Sequence, residues 1–522
     1  MRTVASKLLR TLPLAGLLAG CATDKIVYRD RDPFNEPPAA ALGFLGYYST
    51  ENKQTTCGNC HADFQTKWRA TAHATTYAGL PASAPTQCAS CHAVTERGNM
   101  VTQAAGFNTT RNPVYGDVQC ESCHGPGLDH VRGVGQGRIV RPLARIGMTG
   151  NGTCADCHSD THHPYVEEWQ LSQHARVNAS RAANATCAGC HESRQALARW
   201  GVTGNYMEKG EATAYQPVAV CATCHDPHGS ENPAQLRFPI STADVEQNLC
   251  MKCHLRYDAP TNSTSSPHAP QGSLLLGTAG YRPAGFVYAE DRIFSSHATE
   301  ANPTLCAGCH LNRITAPDAQ GGPAFQATGH LMRPIPCLDA QGRPTAEDNC
   351  NYTPTARSWA TCTSAGCHAN AAVASAAFNT VRARMRLLAN QLWTDSNANG
   401  SMQPAPVDAG LLPRVRQLYP QEWSTTDNRI SPAEGAEFNA RMCGEYGQST
   451  ADNSKGIHNP FLCEALLIAS INEIQSTYAL PAPSPAVQAI LDGPVGGKYS
   501  HGLRRSSTPI PGHDITVAGS SR

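Results

Sequence analysis

Aromatic side chains are scarce in this sequence. Phe, Trp and Tyr together make up 6% of 522 residues, while there are 44 glycines and 37 prolines. A chain of this length ordinarily builds two or three domains, each around an apolar core. Here much of the usual core material is missing, and helix- and strand-breaking residues are abundant. Charge of a dominant sign is also missing: 41 basic and 41 acidic residues cancel, and no long single-sign run occurs. That excludes the basic surface on which nucleic-acid binding rests, so no nucleic-acid partner is expected. No apolar run reaches the ~20 residues of a membrane-spanning helix. What the chain has instead is 23 cysteines and 21 histidines.

The N-terminus reads as an export signal over residues 1–20. Arg2, Lys7 and Arg10 precede the short apolar stretch "TLPLAGLLAG". The quartet Leu18-Ala19-Gly20-Cys21 resembles a bacterial lipobox, which implies lipidation of Cys21 and, with Ala22 following, sorting to the outer membrane. Residues 21–55, containing "RDRDPFNEPPAAA", read as a tether holding the protein to a membrane through a lipid anchor.

Cys-x-x-Cys-His occurs eight times: Cys57/Cys60/His61, Cys88/Cys91/His92, Cys120/Cys123/His124, Cys154/Cys157/His158, Cys187/Cys190/His191, Cys221/Cys224/His225, Cys250/Cys253/His254 and Cys306/Cys309/His310. A zinc site would draw its ligands from separated pairs, without a histidine beside each one. A redox dithiol would need neither that histidine nor the repetition. Covalent haem c explains all three features. Two thiols two residues apart reach the two vinyl groups of one porphyrin, and the next imidazole lies under the iron as its axial ligand. A ninth site is wider, with Cys362 and Cys367 four residues apart followed by His368. Such spacing resembles that of some multihaem cytochromes. The first cysteines recur at offsets of 97, 99 and 101, and then at 96, 119 and 141. The wide site therefore falls where a third set of three needs its last member. The expected organisation is three trihaem modules, 56–149, 150–245 and 246–368, the last enlarged by insertions at about 255–296 and 311–361, with nine haems c in all.

Twelve histidines remain for the other axial position. His73 and His174 end Trp-x4-His phrases, His297 ends "FSSH", and His130 and His228 follow the third motif of their modules. His163, His268, His330 and His458 complete the candidate set, with His162 competing with His163. His501 and His513 stand in a Gly/Ser/Pro-rich tail, 501–522, and read as solvated. None of the nine methionines recurs in phase, so mostly bis-histidine iron is expected.

The expected fold class is mainly α with much irregular structure: short helices and loops around stacked haems, then a haem-free helical domain over 369–500. In that domain, helical periodicity runs from Phe378 to Trp393, and again from Asn459 to Leu480 behind an Asn-Pro start. "HNP" before the second helix resembles the C-terminal part of haem nitrite reductases, which implies that His458 could turn onto an iron. Cys337, Cys350, Cys443 and Cys463 allow three pairings, of which the local ones, 337–350 and 443–463, are favoured. "DSNANG" begins like a calcium loop but has Pro406 where the twelfth-position glutamate should stand, so it reads as an Asn/Gly turn.

The motif run, the Trp-x4-His phrases and "CHGPGLDH" resemble the multihaem c-type cytochromes of respiratory bacteria. They are similar to periplasmic and outer-membrane decahaem proteins and to relatives of hydroxylamine oxidoreductase. The resemblance covers about residues 57–368. It implies electron transfer in anaerobic or extracellular respiration in the cell envelope, with other redox proteins or an extracellular electron acceptor as partners and no catalytic residues. The alternative it leaves is an oxidoreductase acting on a small nitrogen or sulfur oxyanion at one open haem. No Cys-x-x-Cys-Lys site, the mark of haem nitrite reductases, occurs.

Overall fold

A computed structural model describes residues 35–80, 86–134, 136–137, 140–144, 154–159, 164–202, 215–261, 266–283, 286, 295–316, 325–444 and 452–493. The architecture is mainly helical, with long irregular connections. Among the described residues, sheet is confined to two antiparallel pairs: β1 (Tyr47–Ser49) with β2 (Gln54–Thr55), and β3 (Ile314–Ala316) with β4 (Phe325–Ala327).

Through the motif-bearing part, helices are one or two turns long and apolar clusters are small. One gathers Phe44, Val94, Phe107 and Tyr115, and another Val166, Trp169 and Val220. Two segments repeat the same construction. In α1 (Ala62–Arg69), Trp68 is buried and its indole Nε1 donates to Val118 O at 2.8 Å. In α2 (Tyr165–Leu171), the Trp169 Nε1 donates to Ala219 O at 2.7 Å. Val118 N and Ala219 N in turn donate to His73 O and His174 O, both at 3.1 Å. Each tryptophan thus clamps the segment ending in its histidine to the residues just before the second Cys-x-x-Cys-His downstream, at Cys120 and Cys221. This gives the repeated Trp-x4-His phrase a mechanical reason.

The C-terminal part is built conventionally. It comprises α3 (Ala371–Leu392), α4 (Leu411–Leu418), α5 (Pro432–Cys443), α6 (Pro460–Tyr478) and α7 (Pro485–Leu491). The start signals are legible. Asn370 accepts from Val373 N, Ser431 and Glu434 form a reciprocal capping box, and Asn459 accepts from Leu462 N ahead of Pro460. The first helix begins seven residues before the expected Phe378, because Asn370 caps an alanine-rich turn. Helix α6 is buried nearly all round. Its Leu462, Leu466 and Ile471 meet Met385 and Leu388 of α3, Val415 of α4 and Phe438 of α5 in one core. Its one fully buried charge, Glu464, takes a two-pronged hydrogen bond from Arg384 at 2.6 and 2.7 Å. Disulfides join Cys337 to Cys350 and Cys443 to Cys463.

The 255–296 insertion does more than enlarge its neighbourhood. Leu274 and Ala279 belong to the C-terminal core. Asn459 Nδ2 donates to Leu274 O at 3.0 Å, and Asn439 exchanges two hydrogen bonds with the backbone of Tyr281 at 2.8 Å. The helical part is thereby fastened to the motif-bearing part. In the "DSNANG" turn, the Asp395 carboxylate accepts the N–H groups of Asn399 and Gly400. No helix among the described residues is long and apolar enough to cross a membrane.

Candidate haem sockets and their histidine pairs

Each socket is organised by one backbone bond. The histidine N–H turns back to the carbonyl of the first cysteine: His61 to Cys57 at 3.0 Å, His158 to Cys154 at 2.9 Å, His225 to Cys221 at 2.9 Å and His254 to Cys250 at 3.0 Å. That single helical turn sets both thiols and the imidazole around one space. The wide motif closes the same bond, His368 N to Cys362 O at 3.1 Å, despite its two extra residues. The extra length folds away as a 3-10 turn, Ser364–Gly366, ending with Gly366 at φ +74°, a left-handed conformation that glycine adopts without strain.

The histidines pair across these sockets. Ring centres lie 6.3 Å apart for His61 and His130, 6.2 Å for His124 and His228, and 6.1 Å for His158 and His73. The same spacing recurs at 6.1 Å for His191 and His268, 6.4 Å for His225 and His330, 6.2 Å for His254 and His174, and 6.2 Å for His310 and His458. Every pair joins one motif histidine to one non-motif histidine. Two imidazoles sharing a metal have centres about 6.2 Å apart: a metal–nitrogen bond of about 2.0 Å and roughly 1.1 Å from nitrogen to ring centre, on each side. The chain therefore holds opposed rings at the spacing that a six-coordinate haem iron requires.

Tautomers follow from the outer nitrogens. His124 Nδ1 lies 3.1 Å from Pro142 O, His130 Nδ1 2.8 Å from Val140 O, His225 Nδ1 2.7 Å from Ala234 O, and His310 Nδ1 3.0 Å from Met332 O. Each carbonyl takes the Nδ1 proton, which leaves Nε2 free as the ligand. Burial lowers His174, His310 and His330 to about 4, favouring the neutral ring that ligates. The motif thiols shift in both directions: burial raises Cys362 to about 12 and Cys224 and Cys309 to about 11, while hydrogen bonds with Cys157 and Cys253 lower Cys91 and Cys190 to about 6. The ring spacing is what discriminates: rings 6.1–6.4 Å apart stand on opposite sides of a metal, as at a haem iron, whereas two imidazoles of a tetrahedral zinc site would lie about 5 Å apart.

Cysteines of different motifs lie near one another: Cys57 near Cys120, Cys91 near Cys157, Cys154 near Cys221, Cys190 near Cys253, and Cys250 near Cys306. Cys123 lies within electrostatic reach of Cys154, Cys224 of Cys253, and Cys309 of both Cys362 and Cys367. Backbone contacts agree. Arg97 donates to Asp156 O at 3.1 Å between the second and fourth motifs, and Thr361 donates to Cys309 O at 3.2 Å between the last two. Tyr165 stands between His158 and His330, with ring centres at 5.7 and 5.0 Å.

Four motif thiols are exposed, those of Cys60, Cys123, Cys154 and Cys367. The Cys60 N–H turns back to Cys57 O at 3.1 Å, so the local socket turn is formed there as elsewhere.

Burial pushes His297 down, His458 and His368 both lie within its electrostatic reach, and its Nδ1 lies 3.0 Å from Ile457 O. His92 has Nδ1 3.2 Å from Thr76 O. His163, with its rival His162, and Cys21, His501 and His513 lie outside the described residues. Sequence reasoning overlooked the residues that hold ligands in place. Glu168 accepts from Thr328 N, Thr328 Oγ1 and His330 N at 2.7–2.8 Å. Asp452 accepts from His458. The one available signal was an acid near a candidate histidine, which is common by chance.

Residues 56–125 match the family description "Cytochrome c554 and c-prime", and residues 216–259 match "Doubled CXXCH motif". The C-type polyheme cytochrome OmcB of Geobacter sulfurreducens is 25% identical over 334 residues, 58% of this chain and 39% of the relative. OmcC of the same species is 27% identical over 350 residues, 56% of this chain and 40% of the relative. The multiheme cytochrome MtrA of Shewanella baltica is 25% identical over 194 residues, 33% of this chain and 53% of the relative. The chain thus spans about two-fifths to half the length of these curated relatives. No solved structure matches it. With its repeated attachment motifs, its histidine pairs and these relatives, the chain belongs to the multihaem c-type cytochromes.

Proposed function

We propose that this protein is an electron conduit of nine haems c, each iron lying between a motif histidine and a partner histidine. The observation that carries this reading is the set of seven motif-to-non-motif ring pairs at 6.1–6.4 Å. Bound haem supplies a one-electron Fe(III)/Fe(II) couple. The protein's part is to hold and enclose. Paired cysteines fix each porphyrin edge. Paired histidines close both faces, which leaves no coordination position for substrate and favours transfer over catalysis. The nearness of cysteines of different motifs supports sockets lying close enough for electrons to pass between them. Seven assignments follow the ring pairs; His297, which has His368 within electrostatic reach as well as His458, is proposed opposite His368, and His163 for the second socket, opposite His92.

In this reading residues 56–149, 150–245 and 246–368 are trihaem modules and 369–500 is a haem-free domain. Lipidation at Cys21 anchors the protein in the cell envelope, at the outer membrane, where other redox proteins or an extracellular acceptor take its electrons. The test is low-temperature EPR of the fully oxidised protein with haem counted on the same sample. Nine haems, all low-spin, are expected. About one high-spin haem in nine would overturn the conduit reading and favour an oxyanion-reducing enzyme with one open face.

A further inference from the structure

Among the ligand-candidate histidines, His458 has a distinctive outer partner. The others with a described close partner at Nδ1 meet neutral atoms: backbone carbonyls at His92, His124, His130, His225, His297 and His310, the Gln271 amide oxygen at His254, the Thr328 hydroxyl at His330 and the Met332 sulfur at His174. His458 Nδ1 instead lies 2.5 Å from the Asp452 carboxylate, whose side chain is fully buried. Asp226 also comes near such a ring, 3.6 Å from His228 Nδ1, but its second oxygen is held by Arg237 at 3.2 Å. No Lys or Arg pairs with Asp452 among the described residues; Ser454 N and Oγ donate to Oδ2, and Ser454 Oγ accepts from His458 N.

A carboxylate at the outer nitrogen draws the ring toward imidazolate and makes Nε2 a stronger donor, which favours Fe(III) over Fe(II). A buried, unneutralised negative charge acts in the same direction. We propose that Asp452 is a positioning residue that holds His458 and sets the haem at Cys306, Cys309 and His310 to a distinctly lower potential than it would have with a neutral outer partner. This rests on the reading that His310 and His458 share one iron. The socket lies where the haem series meets the helical part, so the tuning acts at that junction.

The test is EPR-monitored redox titration of the full-length haem-loaded protein. D452N should raise one of nine one-electron steps by at least tenfold in its equilibrium constant, which is about 59 mV, leave the others in place, and shift the g-values of one low-spin species. S454A removes a donor that competes for the carboxylate, so it should move the same step downward. An unmoved step in D452N, or shifts of the same sign in both variants, overturns the proposal. Where D452N does not load haem, S454A decides alone: an unmoved or raised step overturns it. H458M separates this from the underlying ligand assignment. It should create one methionine–iron charge-transfer band in the near infrared. If all nine spectra stay unchanged, the pairing itself fails. If the band forms while D452N shifts nothing, only the tuning fails.

Discussion

Replacing Glu168 by alanine should loosen one iron site without touching it. The Glu168 carboxylate on α2 is buried and gathers three donors from a segment some 160 residues further on: Thr328 N at 2.7 Å, Thr328 Oγ1 at 2.8 Å and His330 N at 2.8 Å. Hydrogen bonds to a charged group are worth roughly 1.5–3 kcal/mol each, so about 4–5 kcal/mol of anchorage is removed at the low end. Water entering the space recovers part of this. A net loss of about 2–3 kcal/mol corresponds to roughly 30- to 150-fold more of the state in which His330 has left its place opposite His225. Carbon monoxide reports that state, because it binds reduced haem only where an axial position opens. Stopped-flow mixing of the reduced variant should show one CO-binding haem per chain, with a rate raised by that factor, while the other sites stay as they were. A rate within threefold of the parent, in a variant that loads nine haems, would refute the view that Glu168 secures this ligand.

The wide socket predicts that the double variant C362S/C367S carries one haem fewer than the parent by intact mass; an equal haem count would mean that Cys362 and Cys367 hold none. G366A should destabilise that same turn by roughly 1–2 kcal/mol through its left-handed backbone alone, since a Cβ there meets nothing within 4 Å; urea unfolding measures it. W68F and W169F each leave a carbonyl without its indole donor, and the matching 2.8 and 2.7 Å bonds predict equal losses of about 1–2 kcal/mol. Unequal losses in urea would show that the two clamps are not equivalent. Burial outweighs three backbone N–H donors and pushes Glu121 up to about 7. Its folded pKa exceeds its unfolded one, so the folded state holds the extra proton, and stability should fall as pH rises from about 4.5 to about 7. E121Q should flatten that fall in thermal unfolding at pH 5 and pH 7; an unchanged slope would assign it to other groups.

What the sequence displays best is chemistry written within five residues. A Cys-x-x-Cys-His motif must place two sulfurs and a ring around one porphyrin, and the turn that does so needs no distant help. Helix starts at Asn459 and Ser431 are legible for the same reason, since a cap acts over three residues. The two disulfides also bridge local cysteines. Partner histidines are a tertiary matter. His268 comes from the insertion and faces His191, while His228 follows the sixth motif yet faces His124 of the third. Repeat phase identifies such residues as candidates and is silent about which ring each will meet. How far a thiol is enclosed is tertiary as well: Cys60 and Cys57 belong to one motif, yet Cys60 is exposed and Cys57 is partly covered. Asp452 and Glu168 were illegible because an acid acquires its role only when the fold delivers a donor to it.

The ring pairs also interlock the chain. His73 faces His158, His124 faces His228, His174 faces His254, and both His191 and His225 face residues beyond position 260. A polypeptide cut at residue 245 would keep His174, His191 and His225 and lose the ring opposite each of them. On the proposed ligation, no stretch of this chain is a finished cytochrome until the following stretch has arrived. While haem is being attached, early sockets must wait half-ligated, open to whichever histidine or small molecule reaches them first. Maturation is therefore a race that the native partner wins by being tethered nearby, and the order in which the chain emerges becomes part of how its irons find their ligands.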